Sequence, residues 1–255
     1  MAFSSTQEHG KINAMSLKKI LGLSLIVALL LLVGAFLWQV SIYFKSIRSG
    51  ETSPIKRQQI QTSIERALSD PRVKEYLAKQ GNMDDARAPF IGASKPQLTI
   101  VEFLDYGCPF CQAAFEPIRE LVTRRSDEIR LVIRDFPVDD LHPGATQAAI
   151  AARCADKQGS FWPYHDKLFL LKQDQFVERD LTQIAREIGL DQVAFKTCLE
   201  DDSVKQLVEQ DVLAGINAGV EGTPVFFFNG IKIQGALDRE SLEIIADELI
   251  KHSVK

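Results

Sequence analysis

Cysteine is scarce in this chain: four occur in 255 residues, and only Cys108 and Cys111 stand close together. A closed zinc site takes four ligands. Neither a second C-x-x-C nor an H-x-x-H pair is present to complete one, so no metal is expected. Charge of one sign is equally scarce. The formal net charge is −4 and no basic block occurs, which excludes the electrostatic footprint of nucleic-acid binding. Sustained heptads are missing, so a coiled coil is unsupported. A small-x-small cleavage site is missing after the N-terminal apolar run, which argues against a removed signal peptide.

That apolar run is the first positive feature. It extends without charge from Ile20 to Trp38 and continues through Val40, Ile42 and Phe44. It is long enough to cross a bilayer, and Trp38 and Tyr43 suit an interface. The reading is a disordered tail over 1–16, one transmembrane anchor over 17–44, and a linker with short helices over 45–89. Lysine and arginine do not orient the anchor, because Lys11, Lys18 and Lys19 precede it while Lys45, Arg48, Lys56 and Arg57 follow. In the linker region, Ile60, Ile64 and Leu68 recur every four residues, and Val73, Tyr76 and Leu77 form a second stripe. A spacer docked on its own domain is favoured over an oligomerising stalk across 55–80. Residues 81–96 read as loop.

The chain is organised around Ile100–Cys111. An apolar, β-branched run meets a turn, and two cysteines flank Pro109 and Phe110 as a helical pattern begins. A strand that ends in C-x-x-C at a helix start signals a redox pair. Pro109 suits the first helical position, where its missing N–H costs nothing. Cys108 then faces unpaired N–H groups and the positive end of the helix dipole, which favour its thiolate. Cys111, one turn in, is the resolving partner. Glu102 is a misfit in an otherwise apolar strand. It is either a rim position or a buried carboxylate with a raised pKa that relays protons, and its apolar neighbours favour the second.

After a strand at 129–134, the stretch from about 144 to 219 is helical by its period, with about five short helices. Within it, His165 reads as a packed helix residue, and His142, beside Pro143, as a loop or capping residue. Cys154 and Cys198 fall on apolar helical stripes, where free buried thiols are common. Val225–Phe228, Asn229-Gly230 and Ile231–Ile233 form a hairpin signal. An amphipathic helix over 237–251 ends the pattern.

Three segments together resemble the DsbA family of thiol–disulfide oxidoreductases: Val101–Cys111, Gly159–Phe169 and Val220–Pro224. The resemblance covers 90–255 and implies an α/β thioredoxin-like fold with an inserted helical domain, preceded here by the transmembrane helix. It implies a cis bond before Pro224, with Thr223 and Pro224 beside the thiols binding substrate together with Phe110. It matches Glu102 to the family's buried glutamate and favours a second disulfide between Cys154 and Cys198. No cofactor is implied; a quinone-linked membrane partner is. Many strongly oxidising members carry Pro-His between the cysteines, whereas Phe110 offers no charge or donor, which predicts a weaker oxidant. The expected function is disulfide formation in secreted or envelope proteins, from the inner membrane and on its periplasmic or extracytoplasmic side. The alternatives are an isomerase or reductase kept reduced by a membrane partner, and a chaperone or assembly factor without redox turnover.

Overall fold

A computed structural model describes residues 27–38, 54–73, 85, 87–171 and 176–253. The tail over 1–16, most of the anchor, and Tyr76 and Leu77 lie outside the described residues. The chain divides into two units, 1–55 and 56–255. In the first, residues 27–38 form a helix whose apolar side chains are exposed. Among the described residues, no helix is long and apolar enough to cross a membrane.

The second unit carries the fold. Its sheet contains β1 (Phe90–Gly92), β2 (Leu98–Leu104), β3 (Ile129–Asp135), β4 (Val225–Phe228) and β5 (Ile231–Gln234), in the order β1-β3-β2-β4-β5. β2 and β3 are parallel, with Glu102 beside Ile133; β4 runs antiparallel to β2, with Phe226 beside Glu102. A central strand is covered on both faces, which is why β2 reads as a nearly continuous apolar run. Leu98, Ile100 and Leu104 join one core, and Val101 and Phe103 the other.

The helices follow in chain order. α1 (Pro54–Ser69) precedes the sheet, and α2 (Pro109–Arg124) is the crossover between β2 and β3. α3 (Ala145–Asp156), α4 (Phe161–Leu168), α5 (Glu178–Glu187), α6 (Gln192–Leu199) and α7 (Asp202–Asn217) form the helical insert, and α8 (Arg239–Ser253) ends the unit. Ile118 and Leu121 of α2, and Leu242 and Ile245 of α8, pack with Ile100 in the larger core. α1 packs there too, through buried Ile64 and through an ion pair from Lys56 to Asp238 at 2.6 Å.

β1 corrects the loop reading of 81–96. Its three residues pair antiparallel with β3. A strand that short shows too few alternations to register as a period; the edge of β3 selects it. The β4–β5 turn follows its sequence signal: Asn229 and Gly230 take φ of 46° and 87°, the pair of positive values that a two-residue type I′ hairpin needs.

Candidate redox site

The end of β2 and the start of α2 present the two cysteines. Cys108 is the N-cap of α2, with extended backbone (φ −77°, ψ 122°) and Pro109 directly after it. Its N–H donates to the Asp105 carbonyl at 3.1 Å, closing the turn between strand and helix. Both cysteines are free and buried, Cys108 at 5% exposure and Cys111 at 0%.

Their acidities diverge. The thiol of Cys111 donating to Cys108 is the largest cause holding Cys108 down at about 5; burial opposes this, and Thr223 and the N–H groups of Cys111 and Phe110 add to it. A neutral Cys108 would donate to the Thr223 carbonyl at 3.3 Å. Ionisation loses that one bond but keeps several donors, so the thiolate prevails. Cys111 is pushed well above the ordinary thiol value by burial first, then by its bond to Cys108. The pair therefore has one ready nucleophile and one protonated partner, the division that thiol exchange requires.

Thr223 and Pro224 lie beside Cys108 and are joined by a cis peptide bond. Phe110 is 64% exposed, and its side chain offers the thiols no polar atom. Glu102 is buried on the face of β2 that carries Leu104, and burial pushes its carboxyl up to about 8. Its charge opposes ionisation of Cys111, which places the two groups in electrostatic reach. Cys154 and Cys198 join α3 to α6 through a disulfide, inside the helical insert. Among the described residues, no group of three or more potential ligands is placed to hold a metal.

Two further constellations stand next to the thiols. His165 is buried, and its Nδ1 lies 2.9 Å from the Tyr106 hydroxyl. Burial, and then the positive charge of Arg119, hold its pKa down at about 3, so the ring is neutral. It is a packed residue, surrounded by the rings of Tyr106, Phe115, Phe161, Trp162 and Phe169. His142 is more than a loop residue: its Nδ1 lies 2.7 Å from Asp105 Oδ2. Asp105 Oδ1 accepts the Gly107 N–H at 2.7 Å. That local half of the arrangement has a sequence signal, since Asp followed two residues later by Gly suits a side-chain-closed turn. The partner 37 residues away has none.

The sequence pattern of a family described as Thioredoxin matches residues 84–248. Among curated proteins, the chain is 38% identical over 160 residues to Na(+)/H(+) antiporter NhaA 3 of Salinispora tropica, covering 63% of this chain and 24% of that protein. It is 32% identical over 157 residues to Na(+)/H(+) antiporter NhaA of Herminiimonas arsenicoxydans, covering 61% and 24%. The chain thus spans about a quarter of the length of these relatives. A solved structure of a thioredoxin-like oxidoreductase from Silicibacter pomeroyi is 31% identical, with a TM-score of 0.61, and is covered to 99% by 67% of this chain. The thiol-disulfide exchange protein alpha-DsbA2 of Wolbachia pipientis shares the fold at 23% identity and a TM-score of 0.59, over 78% of this chain and 100% of that one.

Proposed function

The chain belongs to the thioredoxin family, and from that membership we propose that it is a thiol–disulfide oxidoreductase acting on protein cysteines through Cys108 and Cys111. The observation that carries this reading is the placement of the two free thiols at the start of α2, Cys108 at its N-cap and Cys111 buried one turn in, where their surroundings drive their acidities apart. In the oxidising direction, the Cys108–Cys111 disulfide is attacked at Cys108 by a substrate thiolate. A mixed disulfide forms, and Cys111 leaves and takes up a proton. A second substrate thiolate then attacks the substrate sulfur of that bond and releases Cys108 as its stabilised thiolate. The substrate gains a disulfide, and two electrons remain on the dithiol. Glu102 is the acid or base that serves Cys111. Thr223, Pro224 and Phe110 face the substrate backbone.

A stabilised Cys108 thiolate stabilises the reduced protein, so it favours oxidation of substrates over reduction. Reoxidation passes the two electrons to a quinone-linked membrane partner. Residues 17–44 tether the domain to the inner membrane, with the site on the extracytoplasmic side, where such a couple avoids a reducing cytosol.

One experiment in intact cells tests both parts. Cys111→Ala should accumulate mixed disulfides through Cys108, seen as reducible high-mass bands, and a membrane-impermeant maleimide should block their formation. A variant that binds clients without covalent adducts favours the chaperone reading. Adducts blocked only after the inner membrane is opened place the site in the cytosol.

A further inference from the structure

Asp105 holds both cysteines at once. Its backbone N–H donates to Cys111 Sγ at 3.5 Å, and its carbonyl accepts the Cys108 N–H at 3.1 Å. Its side chain is wholly buried and spans two elements. Oδ1 accepts the Gly107 N–H at 2.7 Å, inside the turn that presents Cys108. Oδ2 accepts the Val138 N–H at 2.9 Å, from the loop after β3. His142, on the same loop, completes the set at 2.7 Å from Oδ2. Carboxylate oxygens only accept, so His142 Nδ1 is the donor. The loop also presses on the turn: a Cβ on Gly107 would lie 2.5 Å from His142 Cβ, so no side chain fits there.

We propose that His142 and Asp105 form a positioning pair that sets the reactivity of Cys108, an inference that rests on the exchange chemistry proposed above. Asp105 shapes the turn, and His142 fixes Asp105 and disperses its charge. A buried carboxylate three residues before Cys108 opposes that thiolate unless its charge is drawn off by donors. Loss of the imidazole donor loosens the turn from the loop after β3 and leaves more uncompensated negative charge near the sulfur. Both effects act in the same direction, against the thiolate.

The test contrasts His142→Asn, whose amide nitrogen stands where Nδ1 does, with His142→Gln, whose amide reaches the place of Nε2. The pH midpoint of Cys108 alkylation is the readout, with thermal unfolding measured alongside. Asn should keep the midpoint of the parent. Gln should raise it by about one unit, which lowers the thiolate fraction at pH 5 about fivefold. The same tenfold change in acidity should make the couple less oxidising by about 30 mV. Equal midpoints in the two variants, or a loss of thermal stability with an unmoved midpoint, would overturn the pair. A measurement on the unmodified protein stands apart from folding of the variants. Nitrogen NMR of the His142 ring should show Nδ1 protonated and should respond to oxidation of Cys108 and Cys111; an unprotonated Nδ1, or a resonance indifferent to redox state, overturns it as well. Parent protein that exchanges no thiols with glutathione would sink the exchange reading itself, whereas normal exchange with equal midpoints sinks only the pair.

Discussion

Glu102 is 2% exposed, in the middle of the central strand. Burial raises its pKa from 4.5 to about 8, so the folded protein binds a proton there that the unfolded chain releases. A raised folded pKa contributes stability that is complete below about pH 4.5 and is lost as pH rises through 8. Glu102→Gln is neutral at every pH. It should match the parent near pH 4.5 and exceed it at pH 9, by at most about 5 kcal/mol from the size of the shift. Thermal unfolding of the reduced protein at the two pH values measures the gap, and a gap that does not widen would mean an ordinarily titrating carboxyl. Phe110 poses a second question at this scale. The donors that hold Cys108 at about 5 are Cys111, Thr223 and backbone N–H groups, so a low pKa needs no histidine between the cysteines. Phe110→His adds a donor or a positive charge and should still raise the reduction potential, measured against glutathione. An unchanged potential would show that the existing donors already saturate the sulfur.

Buried charge joins the helical insert to the end of β3. Arg134 and Asp135 at the end of β3 meet Arg153 of α3 and Asp211 of α7. Arg134 Nε donates to Asp211 at 2.5 Å, Arg153 Nε to Asp135 at 2.6 Å, and Arg153 also pairs with Asp211. All four side chains are buried, so each charge depends on its partners. Removing one member strands the others: Asp211→Ala leaves two guanidinium groups short of an acceptor, and the Asp135 N–H loses its bond at 3.0 Å. The expected cost is about 3–5 kcal/mol, read from the denaturant midpoint. A cost below about 1 kcal/mol would mean that water replaces the carboxylate. The cluster ties the helical insert to the strand beside the redox strand, which links packing of the insert to the geometry of the site.

Across the whole molecule, a disulfide closes a span of 44 residues between α3 and α6. By loop entropy, replacing both Cys154 and Cys198 with alanine should lower stability by up to about 4 kcal/mol, measured by urea unfolding. No loss would mean that the unfolded chain is already compact around that loop. The sequence alone was enough for whatever depends on neighbours a few residues apart. The strand-to-helix junction at Cys108, the Asn229-Gly230 hairpin and the helical insert between Gly144 and Gly219 are all written in local period and turn chemistry. Tertiary structure alone decided the rest. β1 is a strand because β3 offers an edge, and Glu102 is perturbed because helices cover its face of β2. Asp105 finds His142 across 37 residues, and Tyr106 finds His165 across 59. The division has one physical cause. Backbone propensity and capping act within a turn or two of chain, whereas burial, charge compensation and long-range hydrogen bonds depend on which surfaces the topology brings together.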